Sequence, residues 1–323
     1  MNDNCLKTMR DALIEQIYNK MLNQEKLFFV SADFGSPALD KLRKNFPDKF
    51  VNVGIAEQNL INVATGLALE GFTVYAYAIA PFLTMRAYEQ IRINLALTSQ
   101  IKQVNVNLIG VGAGVSYDVS GPTHHCFEDI TIMRALPNFV VFSPSDWILA
   151  EKFIDFSINV TSPKYIRLDG KPLPPIYEKI ETLDLEKGFH ELLIGEEVCI
   201  ISTGYMTHKA LNIAEQLKDK INIGVIDLFL LKPVNKELLF DAIKKYKFVI
   251  TIEEAFVEKG GVDSIILNIL KNNNLGINIT SFGFKDEYVF NVGDRDFLYK
   301  QHNFDEKNII KTIEKYITNR VKI

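Results

Sequence analysis

"NVGIAEQNLINVATGLALEGFTVYAYAIAPF" runs from Asn52 to Phe82 and holds one whole repeat of the chain's pattern. Leu60, Val63, Ala64, Leu67 and Ala68 recur at helical spacing, and Gly71 stands where a helix stops. "TVYAYAI" follows, short and apolar enough to read as a buried strand. The helix opens oddly, because Glu57 is its only acid before Glu70. Two readings stand side by side. Glu57 is a first-turn charge suited to the exposed N–H groups of the helix, or it is an acid set in apolar surroundings, where its pKa rises and it can share a proton.

Working outward, "KLFFVSAD", "QVNVNLIGVG" and "NFVVFSPSD" repeat the same alternation of buried strand, turn and helix. "GKPLPPIYEK", from Gly170 to Lys179, interrupts it as a proline-rich linker. Beyond it come "EVCIISTG", "NIGVIDL", "KFVITIEE" and "NITSFGF", separated by helical stretches such as "THKALNIAEQL" and "KGGVDSIILNIL". The expectation is α/β throughout, with two doubly wound domains at residues 1–170 and 183–323 and a linker at 171–182. Ligands in such folds sit at the carboxyl ends of strands. In the first domain those ends carry Asp33, Pro81-Phe82 and the loop from Gly110 to His125. The second offers "STGYMTH" and "EEAFVEKGG", polar loops that make no catalytic set.

A net charge of −4 gives no invitation to nucleic acid or to an anionic membrane. No apolar run spans a bilayer. The opening "MNDNCLKTMRDALIEQIYNKM" lacks the apolar core of a signal peptide and reads as a helix with Leu13, Ile14, Ile17, Tyr18 and Met21 on one side. Cys5, Cys126 and Cys199 have no paired spacing, so a reducing cytoplasm is expected. "HHC", His124 to Cys126, is too tight for a zinc site and has no second cluster, so no metal is assigned to this chain.

The loop "GVGAGVSYDVSGPTHHCFED" concentrates glycine and histidine, which suits close backbone approach to a ligand and proton traffic near neutral pH. Read alone it is equally an ordinary polar loop with a Gly121-Pro122 turn. Order along the chain decides more. "GIAEQN", "PFLTMRAYEQIR", "SGPTHH", "EDITIMRALPNFVVFSPSD" and "YIRLDG" occur in succession. The set resembles the transketolase family, and more closely the C-terminal subunit of a split transketolase, over essentially the whole chain.

That resemblance implies thiamine diphosphate chemistry, with the cofactor held between a pyrimidine-binding domain and a diphosphate-binding domain of another subunit. The diphosphate domain carries a Gly-Asp-Gly metal motif, absent here; "GDRD" at Gly293 to Asp296 is the nearest string. Magnesium is therefore expected mainly on a diphosphate-binding partner, with the pair forming a heterotetramer. By the same resemblance Glu57 matches the glutamate that hydrogen-bonds N1′ of the aminopyrimidine and promotes loss of the C2 proton. Phe82 matches the aromatic stacked on the pyrimidine, although its position after a strand also suits a core phenylalanine. Ile79 stands where the family often has a second aromatic. Asp33 matches an acid near the thiazolium, and His124 the histidine that contacts the reacting sugar. Arg10 and Arg167 match arginines that grip the substrate phosphate, a task suited to the guanidinium fork; for Arg10 a solvated helix charge is an equal reading.

One departure touches specificity. Transketolases place Glu-Asp before "GPTH", and the aspartate recognises a donor hydroxyl. Val119 and Ser120 stand there instead, with Asp118 displaced by two. The implied function is transfer of a two-carbon ketol unit between sugar phosphates. The alternatives are a 2-oxo acid dehydrogenase β-like subunit and a non-catalytic assembly subunit that kept the fold.

Overall fold

The computed structural model describes residues 6–33, 35–178 and 183–320. Cys5 and the linker residues 179–182 lie outside the described residues. The first domain contributes β1 (Leu27–Ser31), β2 (Phe50–Asn52), β3 (Thr73–Ile79), β4 (Val106–Val111), β5 (Val140–Phe142) and β6 (Lys164–Leu168). The second contributes β7 (Phe189–Leu193), β8 (Val198–Ser202), β9 (Ile223–Leu228), β10 (Leu230–Lys232), β11 (Phe248–Phe256) and β12 (Asn278–Phe284). The seven-stranded sheet has the order β10-β5-β6-β4-β3-β1-β2, and the five-stranded sheet the order β12-β11-β8-β9-β7. All pairings are parallel except β10 with β5 and β7 with β9.

Side-chain alternation on β3 explains the two-sided core. Val74, Ala76 and Ala78 point to one face, where Leu60, Ile61, Ala64 and Ala68 of the helix Glu57–Leu69 cover them. Val63 and Leu67 complete that stripe from its partly buried edge. Tyr75 and Tyr77 point to the other face, against Leu13, Ile14, Ile17 and Met21 of the helix Met9–Met21. β4 lies between β3 and β6 and is buried throughout, as a strand covered on both faces must be. The expected strands form, and β2, β6, β7 and β10 join them. β10 was hidden in sequence behind "NIGVIDL"; the chain breaks at Phe229 and Leu230 crosses to pair with Phe142 of the first sheet.

The linker is pinned by two buried acids. Asp146 accepts hydrogen bonds on Oδ2 from the backbone N–H of Ile176 (2.7 Å) and Tyr177 (2.9 Å), while Oδ1 caps the helix Trp147–Asn159 through Leu149 N–H. Asp227 on β9 accepts from Ser145 Oγ (2.5 Å), Tyr177 Oη (2.8 Å) and Thr207 Oγ1 (3.1 Å), tying both domains and the linker to one carboxyl group. Burial pushes its pKa up to about 7 against those stabilising bonds.

Candidate active site

The carboxyl ends of β1, β3 and β4 present most of the residues singled out in sequence. Asn52, at the end of β2, organises the approach. Its Oδ1 accepts from the N–H groups of Asp33 (3.1 Å) and Gly54 (3.0 Å), and its Nδ2 donates to Asp33 Oδ1 (2.8 Å). Gly54 takes φ +75°, a left-handed conformation open to glycine, and turns the chain into the helix that starts at Glu57. Asn52 went unremarked in the sequence; an amide at a strand end two residues before a glycine is the signal that marks it.

Glu57 occupies the first turn of its helix and is only 3% exposed. It is not isolated in apolar surroundings, as its sequence context suggested. Arg86 Nη1 donates to its Oε2 at 2.8 Å. Arg86 closes a π-helical turn, Phe82–Arg86, that follows β3. Such widened turns are frequent at functional sites. The turn brings the Arg86 guanidinium back over the Phe82 ring, with Cζ 4.8 Å from the ring centroid. Sequence reasoning missed Arg86, because "PFLTMRAYEQIR" gives no hint of the extra residue in the turn.

His124 joins this group from the β4 loop. Its ring meets Phe82 edge-on at 5.3 Å and Tyr117 at 6.4 Å, and Nδ1 lies 3.1 Å from Thr123 Oγ1. Its neighbour His125 is buried, which lowers its pKa, and packs against Phe127 instead. Glu57, Phe82 and His124 therefore surround one space. Asp33 is exposed beside it, in a left-handed conformation at φ +53° held by Asn52. Ile79 is half-buried at the end of β3, opposite Val111.

The remaining expected residues sit less evenly. Ser120 is exposed at the end of the turn Asp118–Ser120. Asp118 is buried and accepts from Lys171 Nζ and from Val119 N–H, so it is engaged away from the Ser120 position. Arg10 is half-buried; its Nε donates to Asp11 Oδ1 at 2.8 Å, and Tyr77 and Tyr117 lie alongside. Arg167 requires a correction. Its guanidinium is buried, with Nε on Asp129 Oδ2 (2.7 Å) and Nη2 on the carbonyls of Glu254 (2.9 Å) and Cys126 (3.3 Å). It joins the two domains and is not disposed to grip a substrate phosphate.

The whole chain matches two family descriptions in order. Residues 7–174 match "Transketolase, pyrimidine binding domain" and residues 191–309 match "Transketolase, C-terminal domain". The chain belongs to the transketolase family. Among curated transketolase relatives, one of the two subunits of an apulose-4-phosphate transketolase from Actinobacillus succinogenes is 34% identical, over 94% of this chain and 96% of its own. A putative transketolase C-terminal section of Methanocaldococcus jannaschii is 33% identical over 95% of each chain. A solved structure described as a split gene transketolase, inactive beta4 tetramer, superposes with TM-score 0.85 at 30% identity, covering 96% of this chain and 98% of that one.

Transketolase membership implies dependence on thiamine diphosphate, and the site suits its aminopyrimidine. A buried carboxylate beside an aromatic face accepts a flat group that bears N–H donors, and the Arg86 guanidinium, a group of that kind, already rests there. Glu57 Oε1 is left over for a second donor. Among the described residues no three His, Cys, Asp or Glu side chains cluster as a metal site, and no helix is long and apolar enough to cross a membrane. A concavity of about 560 Å³ bounded by Glu196, Lys218 and Asn222 belongs to the second domain and includes none of the residues above.

Proposed function

We propose that this chain is the pyrimidine-binding half of a two-component transketolase of the cytoplasm. It moves a two-carbon ketol unit between sugar phosphates and works as a heterotetramer with a subunit that holds the diphosphate and magnesium. The observation that carries the reading is the convergence of Glu57, Phe82 and His124 at the strand ends, in a chain whose near-full-length relatives are named as one half of a split enzyme. Bound thiamine diphosphate supplies an electron sink for the carbanion formed on cleaving the ketose.

The chain's own residues have separable tasks. Glu57 holds or yields a proton at N1′ of the pyrimidine, the kind of step worth roughly 10²–10⁴ in rate. Phe82 offers the stacking face, and Ile79 the apolar wall beside it. His124 hydrogen-bonds the reacting sugar and can move a proton near neutral pH. Asp33 stands at the open edge toward the thiazolium, and Ser120 at the place where a donor hydroxyl is read. With Arg167 withdrawn, Arg10 is the remaining arginine for a substrate phosphate, partly spent on Asp11.

The test is reconstitution. The purified chain alone should show no ketol transfer, in keeping with the description of a relative's β-only tetramer as inactive. Activity should appear when a diphosphate-domain partner is added with magnesium and thiamine diphosphate. Full transfer by this chain alone would overturn the reading.

A further inference from the structure

Arg86 touches the two groups that an aminopyrimidine needs. Its guanidinium donates to Glu57 Oε2 at 2.8 Å and lies over Phe82, Cζ to centroid 4.8 Å. We propose that Arg86 is an internal place-holder, seated on Glu57 and Phe82 while the site is unloaded and displaced into solvent by the incoming pyrimidine. This rests on the reading that the site receives an aminopyrimidine.

The surroundings of the pair favour exchange over permanence. The Arg86 side chain is 48% exposed, while that of Glu57 is 4% exposed. One partner is fixed in the wall and the other already reaches water, so the pair opens without dragging a second charge out of the interior. Among the described residues the guanidinium has no other hydrogen-bond acceptor; only the Arg86 carbonyl is held, by Gln58 Nε2 at 3.3 Å. The backbone is anchored and the head is free to swing.

Energetics explain why a place-holder is useful. A carboxylate taken out of water without a partner is costly, and a bare aromatic face beside it loses contact as well. A guanidinium answers both needs at once, because it is flat, cationic and carries N–H donors in its plane. Lysine has the charge without the plate. Loading is then a substitution of one flat N–H donor for another, and the pyrimidine's affinity is reduced by the fraction of sites that Arg86 fills.

The test uses the full chain and 4-amino-5-hydroxymethyl-2-methylpyrimidine, which needs no diphosphate domain. Binding is followed by NMR titration of the aromatic resonances in wild type, Arg86→Ala and Arg86→Lys, each checked for fold by circular dichroism. If Arg86 fills about nine sites in ten, Arg86→Ala binds about tenfold more tightly, with Arg86→Lys between. Guanidinium ion added to Arg86→Ala should compete with the probe and restore the wild-type affinity. Binding that is unchanged or weaker in Arg86→Ala overturns the place-holder, for Arg86 is then a fixed prop or a bystander. Phe82→Ala in the Arg86→Ala background separates the two claims. If it abolishes binding, the pyrimidine site stands whatever Arg86 does. If binding ignores Phe82, or no variant binds, the site itself is wrong and the place-holder falls with it.

Discussion

The Arg167–Asp129 and Arg86–Glu57 pairs have the same chemistry and opposite surroundings. Arg167 and Asp129 are both out of water, with side-chain exposures of 2% and 0%, and lie in a closed network. Tyr165 Oη donates to the same Asp129 oxygen at 2.7 Å. Nearby, Arg295 bridges Asp169 and Glu254, and Glu254 also accepts from Tyr299. Arg86–Glu57 has one end in solvent and a carboxylate oxygen to spare. A closed pair fixes how domains sit; an open pair can trade its partner. Burial of both ends, more than residue type, separates architecture from a ligand site.

The largest expected effect sharpens that contrast on the open side. Glu57→Ala should slow hydrogen–deuterium exchange at C2 of thiamine diphosphate, bound in the reconstituted pair, by about 10²–10⁴-fold. Its stability cost should stay below about 1 kcal/mol, because the partner left behind is already half in water. Wild-type exchange in a folded variant would remove Glu57 from the chemistry.

On the closed side the expectation reverses. Asp129→Ala strands Arg167 as a buried charge without its counter-ion, at a cost of about 3–5 kcal/mol. Urea unfolding of the two variants side by side reads the comparison directly. Equal midpoints for Asp129→Ala and Glu57→Ala would mean that the two pairs are not different in kind.

Depth is what the sequence could not supply. Continuous apolar runs such as "QVNVNLIGVG" announced their strands, and a lone acid heading an apolar helix drew attention to Glu57 before any geometry. Arg167 matched a phosphate-gripping arginine in a motif, yet β6 buries every residue from Lys164 to Leu168, and nothing in "KYIRL" says so. The groups that claim it come from far along the chain, Asp129 at 38 positions and Glu254 at 87. Arg86 was missed for a local reason, since a π turn and an α turn look alike in sequence. β10 escaped because three residues are too few for a period to show.

A third test reaches the buried carboxyl that ties the linker to both domains. Burial raises the Asp227 pKa from 3.8 to about 7, and burial together with Asp263 raises Glu253 from 4.5 to about 7. Folded protein therefore keeps protons that the unfolded chain releases near pH 4. The stability these groups lend is present below that pH and is lost as pH rises to about 7, with a slope of up to about 1.4 kcal/mol per pH unit for each. Asp227→Asn keeps an acceptor for the three hydroxyls and removes the titration. Urea midpoints at pH 5, 6 and 7 should fall less steeply in the variant than in wild type. Parallel slopes would show that Asp227 does not exchange its proton on unfolding.

The smallest expected effect lies at the rim of the open site and concerns which sugar is used. Transketolases read a donor hydroxyl with an aspartate where Ser120 stands here. A serine hydroxyl is short and neutral, while a carboxylate makes a charge-assisted bond about twice as strong. Asp118 is two residues away but buried, and Lys171 and the Val119 N–H already occupy its oxygens. Reaching the sugar would mean giving up that ion pair, so it does not replace the missing aspartate. Wild type should therefore discriminate weakly between ketose phosphates that differ at one hydroxyl. Ser120→Asp should shift kcat/KM toward the donor whose hydroxyl it meets, by about tenfold for roughly 1.4 kcal/mol of added hydrogen bonding. A panel of epimeric and deoxy ketose phosphates, assayed with the reconstituted pair, measures that shift. If wild type already selects one epimer sharply and Asp118→Ala abolishes the selection, Asp118 leaves Lys171 to do the reading, and the buried pair at that corner is as exchangeable as the one at Glu57.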